Sequence, residues 1–331
     1  MPAFKPQSQT WKSDRAVLLV HGIGDASSQG KAAFPLDELR EALGANAENV
    51  AVYTLSYDFI NDWAKRKTKL SSAVATLGAT VMDHYADPLL SELLAEYMGD
   101  VLWPILSLDI RRAIRDAFIA QLQQMAIDCG ESALARGDDP LDYRMNIIAH
   151  SLGCFHTYEV LHTIANEPSY RLRPASDLIQ LASVVLMASP VQMIRSVAGK
   201  IAALIPARGE LASLAAGGLS LPAEKLASGK SSSVARRFVA VSGTQDPVGG
   251  HLFGSQQAWA FMDIPGQQTD VVRQALVVPE DGRNLAEELS FRLETGLMGG
   301  GSGSISALVQ DPHSWSAYVS REAGLLAELL A

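Results

Sequence analysis

Short apolar runs separated by helical patterns are the feature that most constrains the fold of this chain. Each run is too short to be a buried helix and ends at glycine or polar residues, as buried strands do. Apolar strands that alternate with helices form parallel sheets covered on both faces. The sequence therefore predicts an α/β fold with a mostly parallel sheet, whose strands are AVLLV at 16–20, VAVYTLSYD at 50–58, MNIIA at 145–149, part of LIQLASVVLMA at 178–188, RFVAVSG at 237–243 and QALVVP at 274–279.

Two long segments interrupt this alternation. Residues 62–137 have helical periodicity, are too long for a simple crossover, and predict a helical insertion or cap between the second and third strands, with a break near Pro104. Residues 197–233 are rich in Ala, Gly and Ser, which is typical of a flexible lid and equally of an ordinary surface loop. Residues 1–331 are otherwise expected to form a single domain.

Charge and apolar patterning limit the classes of partner that the chain is expected to have. The 27 basic and 36 acidic residues give a net charge of −9, which argues against nucleic acid or an anionic membrane surface. The most apolar stretch, at 178–194, is broken by polar residues and Pro190, so we expect a buried strand and no transmembrane segment. The oligomeric state stays open.

The N-terminus and the cysteines bear on the compartment. Prolines and polar residues at 2–10 interrupt the apolar core that an export signal needs, so we expect none. Two cysteines, Cys129 and Cys154, are too few for a disulfide framework. A reducing, cytoplasmic location is the simpler interpretation.

The pentapeptide AHSLG at 149–153 follows an apolar strand and precedes a helical pattern. A serine between two small residues in this context is typical of a nucleophile elbow, a strained turn that bulky neighbours would obstruct. Ala149 stands where glycine is usual, which weakens the match slightly. The alternative is that Ser151 only caps the following helix, a common role for serine.

A second motif, HGIGD at 21–25, follows the first strand. Serine hydrolases stabilise an oxyanion with backbone N–H groups, and glycines let the backbone present them. The candidate donors are the amides of Leu152 and Ile23. His21, Gly22 and Gly24 would support the turn.

With these motifs in this order, the chain resembles the α/β-hydrolase superfamily, in particular bacterial esterases and lipases with an HG-x-G oxyanion loop and an HSLG elbow. The resemblance implies an α/β-hydrolase fold and a triad ordered serine, acid, histidine. Asp246 follows the fifth predicted strand, and His313 precedes the last helical pattern, so these two residues fit the acid and the base. The rival acids are Asp263, Asp270 and Asp281, and the rival bases are His251 and His162.

Other patterns are weaker. GIGDAS at 22–27 lacks the third glycine of a dinucleotide fingerprint, and Gly229-Lys230-Ser231 lacks the first glycine of a phosphate loop. His156, Glu159 and His162 recur every three residues and could ligate a metal, but a packed helix face is the more common meaning of such spacing. The basic run KRKTK at 65–69 fits a solvated helix face.

The sequence thus predicts a serine carboxylesterase or lipase that needs no metal or organic cofactor and acts on an ester with an apolar acyl group. A thioesterase, amidase or acyltransferase would use the same triad. A hydrolase-like protein that binds its ligand without turnover is the alternative outside enzymes.

Overall fold

A computed structural model describes the part of the chain that forms the central sheet and its covering helices. Its strands are β1 (Arg15–Val20), β2 (Val50–Leu55), β3 (Arg144–His150), β4 (Leu181–Met187) and β5 (Ala235–Val241). Its helices are α1 (Leu36–Leu43), a 3-10 helix (Gly44–Asn49), α2 (Leu108–Arg136), α3 (Leu152–Asn166), α4 (Trp315–Arg321) and α5 (Ala323–Leu330). The described residues are 3–10, 13, 15–22, 34–57, 60, 108–140, 143–166, 181–190, 235–241 and 315–330.

The five described strands form one sheet in the order β2-β1-β3-β4-β5, and every neighbouring pair is parallel. Each of them lies where an apolar run predicted a strand, so the prediction of a parallel α/β sheet is confirmed for these five. The sixth predicted strand, at 274–279, lies outside the described residues. Because all strands run the same way, the segments that follow β1, β3, β4 and β5 start from one edge of the sheet.

Helices cover both faces of the sheet. On one face, α1, α4 and α5 contact one another and share a buried cluster with the strands, which includes Val17, Leu19, Ile148, Val185 and Leu326. On the opposite face, α2 and α3 pack against each other, α2 also contacts β1 and β2, and α3 contacts β1 and β3. Strand side chains alternate between these two layers, and those of Leu18, Ile147, Val184 and Leu186 are fully buried.

The helix α2 sharpens the prediction for residues 62–137. Residues 108–136 form one continuous helix in the layer that covers the sheet, so this part of the predicted insertion is not a cap over the site. Its buried residues Ile114, Phe118, Leu122 and Met125 follow the spacing of an apolar helix face. Residues 62–107, Pro104 among them, and the predicted lid at 197–233 lie outside the described residues.

The N-terminal segment covers the open edge of β2. The side chain of Gln7 accepts from the Thr54 amide and donates to the Thr54 hydroxyl, and Gln9 Nε2 donates to the Val52 carbonyl. The buried carboxylate of Asp128 on α2 accepts hydrogen bonds from Ser8, from the Gln9 amide, from Tyr53 and from Gln124. Side chains therefore satisfy backbone groups that an unprotected edge strand would expose.

Within the described ranges, no helix has the length and apolar content needed to cross a membrane. The most apolar stretch of the sequence supplies β4, as predicted. Cys129 and Cys154 are both buried free thiols.

Candidate active site

Ser151 lies in the turn that joins the end of β3 to the start of α3. Its φ is 52°, in the left-handed region, which costs a residue other than glycine roughly 1–2 kcal/mol. A serine that only capped α3 would have an extended backbone. The observed conformation therefore favours a strained elbow over a simple helix cap.

Hydrogen bonds from the elbow hold this turn in place. The Ser151 amide donates to the Met187 carbonyl at the end of β4 over 3.0 Å, and the Ser151 carbonyl accepts from the Cys154 amide over 2.9 Å. The thiol of Cys154 donates to the carbonyls of Met187 at 3.1 Å and Ala149 at 3.3 Å. Contacts on both sides of the elbow thus hold Ser151 in its strained backbone conformation.

Two glycines let His21 and Gly22, the first residues of the HGIGD motif, lie against the elbow. A Cβ added to Gly22 would lie 2.5 Å from the Ser151 Cβ and 3.0 Å from its Oγ. A Cβ added to Gly153 would lie 2.5 Å from the His21 carbonyl oxygen and 2.6 Å from that of Val20. Gly153 must therefore be glycine because it lies against the end of β1. Gly22 must be glycine because it lies against Ser151.

The candidate oxyanion donors are described in part. Leu152 is the first residue of α3 and is fully buried, and its amide belongs to the first turn, whose N–H groups have no acceptor within the helix. Ile23 and Gly24 lie outside the described residues. Gly22, which precedes them, lies against Ser151.

A cluster of aromatic and imidazole rings surrounds His21, the first residue of the HGIGD motif. The His21 ring is buried and stacks on Tyr57 with centroids 4.9 Å apart and an interplanar angle of 6°. Tyr57 makes an edge contact with His156 at 4.7 Å, and His21 makes another with Phe34 at 5.6 Å. The Tyr57 hydroxyl donates to the carbonyl oxygens of His21 at 2.8 Å and Gly22 at 3.3 Å.

His156 is buried and electrically neutral at ordinary pH. Burial, reinforced by the nearby His21 and Arg111, lowers its pKa to about 3. Its neighbour Glu159 pairs with Arg111 of α2 at 2.9 Å, and both side chains are largely buried. In the described part of the chain no group of three or more His, Cys, Asp or Glu side chains could hold a metal ion.

The helix α4 approaches the elbow through Trp315, its first residue. Its ring stacks on that of His150, the residue before Ser151, with centroids 5.4 Å apart and an interplanar angle of 18°. Trp315 also meets Phe34 at 5.3 Å, which completes a row of ring contacts from His156 to His150. His313 lies outside the described residues and precedes Trp315 by two positions, a stretch of chain that spans at most about 7 Å.

The candidate acid follows β5 in sequence. Val241, the last residue of β5, pairs with Met187, and its carbonyl accepts from the Ala188 amide over 2.8 Å. Asp246 is five residues further along and lies outside the described residues. So do the rivals Asp263, Asp270, Asp281 and His251, whereas the rival base His162 belongs to α3.

Tyr57 and Trp315 belong to neither sequence motif and were not predicted as site residues. Tyr57 is the last aromatic residue of the second apolar run, and only the pairing of β2 with β1, two residues before it, reveals its contact with His21. Trp315 closely follows the candidate base, which was the one available signal. Neither residue type is itself a mark of catalysis.

The chain matches no protein-family model and no curated protein.

Proposed function

We propose that this protein is a serine hydrolase of the α/β-hydrolase type that cleaves carboxylic esters through an acyl-enzyme on Ser151. The observation that carries the proposal is the contact of Gly22 with a Ser151 whose backbone is left-handed at the end of a central parallel strand. A nucleophile elbow beside a glycine-containing loop is the arrangement with which α/β-hydrolases cleave esters. A helix cap would need neither the strained turn nor the close approach of Gly22.

In the proposed reaction, the Ser151 oxygen attacks the ester carbonyl carbon while its proton passes to His313. The C–O bond to the leaving alcohol then breaks, the alcohol takes that proton, and the acyl group remains on Ser151. Water attacks the acyl-enzyme by the same steps in reverse and releases the carboxylic acid. Asp246 would orient the imidazole and stabilise its charged form.

The oxyanion would be stabilised by the amides of Leu152 and Ile23. Loss of one such donor typically costs about 3 kcal/mol of barrier. The position of Leu152 at the start of α3 supports its part in this role. The positive end of the helix dipole adds to the attraction for a developing negative charge.

The contact of Trp315 with His150 supports the choice of His313 as the base. It brings the start of α4 to the residue before the nucleophile, and His313 is joined to it by a short stretch of chain. The parallel pairing of β5 with β4 supports Asp246 in the same way, because it starts the 242–246 segment at the edge that carries Ser151.

The substrate we propose is an ester with an apolar acyl group, and residues 62–107 are the proposed cap over it. Their sequence is rich in apolar residues at helical spacing, such as Leu89, Leu93 and Trp103. We also propose a reducing, cytoplasmic location, supported by the two buried free thiols. Fractionation of cells that express the protein tests the location.

A fluorophosphonate probe tests the nucleophile directly. The probe should label wild-type protein at Ser151, as mapped by mass spectrometry, and should not label Ser151→Ala. Labelling that persists in Ser151→Ala overturns the assignment. An unlabelled wild type that still binds esters would instead indicate a ligand-binding protein without turnover.

A series of p-nitrophenyl esters from acetate to palmitate tests the reaction class. Release of p-nitrophenol by wild type and not by Ser151→Ala is the expected result. Failure of every ester in the series would contradict the esterase proposal, and thioester and anilide substrates would then distinguish the related acyl-transfer reactions.

A further inference from the structure

Tyr57 lies just beyond β2 and reaches across to the loop that follows β1. Its side chain is 1% exposed, and its hydroxyl shares its one proton between the carbonyl oxygens of His21 at 2.8 Å and Gly22 at 3.3 Å. These two residues precede the peptide that carries the second candidate oxyanion donor. Tyr57 therefore bonds to the backbone of the loop.

Because a peptide is planar, a hydrogen bond to its carbonyl also fixes the direction of its N–H. In a trans peptide the carbonyl and the following N–H point to opposite sides of the chain. A hydroxyl that holds the Gly22 carbonyl therefore also restricts the rotation of the peptide that follows Gly22. Since Gly22 packs directly on the side chain of Ser151, a rotation of this peptide would change what faces the nucleophile.

The packing around Tyr57 leaves its ring little freedom. His21 stacks on one face at 4.9 Å, and His156 of α3 contacts it edge-on at 4.7 Å. The imidazole of His156 is itself buried beside Phe155. Tyr57 is thus fixed to α3, the same helix that begins at the other candidate donor, Leu152.

We propose that Tyr57 is a positioning residue of the oxyanion hole, which holds the His21 and Gly22 carbonyls so that the following amide faces the oxyanion at Ser151. This inference rests on the proposed function. Tyr57 bonds to backbone carbonyls, and its proposed effect is exerted through the orientation of the peptide that follows Gly22. Neither the HGIGD motif nor the AHSLG motif includes Tyr57 or indicates this role.

Tyr57→Phe, with Tyr53→Phe as the matched control, tests the proposal by kinetics. Both tyrosines are buried and both hydroxyls donate a hydrogen bond, but that of Tyr53 goes to Asp128, in the α2 layer that carries the N-terminal segment. We expect Tyr57→Phe to lower kcat by about 10- to 100-fold with KM within about twofold. This is less than the roughly 10²–10³-fold loss seen when a donor is removed outright. Tyr53→Phe should leave both constants near the wild-type values.

A nuclear magnetic resonance measurement tests the orientation without any turnover. Gly22-Ile23 is the only Gly-Ile pair and His21-Gly22 the only His-Gly pair in the sequence. Labelling with carbonyl ¹³C-glycine and ¹⁵N-isoleucine therefore gives one correlation, from the Gly22–Ile23 peptide, and ¹³C-histidine with ¹⁵N-glycine gives the other. Loss of the hydroxyl donor should move both carbonyl resonances upfield in Tyr57→Phe and leave them unchanged in Tyr53→Phe.

The two measurements separate the failure of this inference from that of the proposed function. Unmoved carbonyl resonances in a folded Tyr57→Phe, or a kcat equal to that of Tyr53→Phe, overturn the role of Tyr57 even if the wild type is a good esterase. A wild type that neither hydrolyses esters nor reacts with fluorophosphonate overturns the proposed function. The resonances would still report whether Tyr57 fixes the peptide.

Discussion

Gly22 and Ser151 are in such close contact that no side chain fits between them. A Cβ on Gly22 would lie 2.5 Å from the Ser151 Cβ, a separation that carbon atoms do not adopt without displacement of one of them. The two residues are far apart in sequence and follow β1 and β3, which are neighbours in the sheet. Their contact is what joins two separate sequence motifs into one candidate site.

Gly22→Ala should abolish most of the activity. The added methyl must displace either Ser151 or the loop that carries Gly22, and a misplacement of about 1 Å can reduce catalysis by about 100-fold. The kcat/KM for a p-nitrophenyl ester measures the loss. Gly324→Ala is the control, because nothing lies within 4 Å of its added Cβ, and alanine at this helical position should keep activity and stabilise by up to about 1 kcal/mol.

Ser151→Gly should be more stable than Ser151→Ala. At a φ of 52° glycine avoids the strain that alanine retains, and this outweighs its greater freedom in the unfolded chain, so we expect a difference of about 0.5–1 kcal/mol in the free energy of unfolding. Urea denaturation measures it. Neither variant has the nucleophile, so both should be inactive.

The same pair of substitutions at Ser132 provides the control for the strain at Ser151. Ser132 lies within α2, and both replacements lose its hydrogen bond to the Ser13 carbonyl. In a helix alanine is favoured over glycine by about 1 kcal/mol, so the order of stability should reverse. If the alanine variant were more stable than the glycine variant at both positions, Ser151 would not be strained.

Trp315→Ala should reduce activity more than its loss of stability explains. The indole stacks on His150 at 5.4 Å, and we expect its removal to loosen the segment that carries His313. Leu326→Ala, in the same core cluster, should cost a similar 2–5 kcal/mol of stability but little activity. Assays at a temperature where both variants stay folded make the comparison. Equal kcat values for the two would contradict a role of Trp315 in the site.

His156→Phe should weaken the dependence of stability on acid. The folded pKa of His156 is lowered to about 3 from its usual 6.5, mainly by burial, so below pH 6.5 the unfolded chain binds a proton that the folded chain does not. The contribution of this group to stability is therefore present above pH 6.5 and is lost as the pH falls toward 3. In that window the free energy of unfolding falls by about 1.4 kcal/mol per pH unit for one proton.

The measurement for His156 is urea denaturation of both proteins from pH 7 to pH 4. Carboxylates titrate in both, so their effect cancels when the two curves are subtracted. We expect the difference in unfolding free energy to change steadily in favour of His156→Phe as the pH falls. A constant difference would mean that His156 is protonated in the folded protein as readily as in the unfolded chain.

The sheet was predictable from local pattern because each strand is a short apolar run that must be buried on both faces. Five runs became five parallel strands, and the strained elbow at Ser151 followed from small residues beside a serine. The extent of the insertion was not predictable. The helical periodicity of 62–137 is the same for a cap and for a helix that covers the sheet, and only the contacts of α2 with β1 and β2 assign 108–136 to the sheet.

The sequence by itself determined five strands, their parallel arrangement and the motifs AHSLG and HGIGD, because spacing and residue size act within a few neighbouring positions. Only the tertiary structure decided that Gly22 touches Ser151, that Tyr57 binds the carbonyls beside it, and that Trp315 stacks on His150. Contacts of this kind depend on which strands are neighbours and on how their ends are aligned, and that order is set by the packing of the whole sheet.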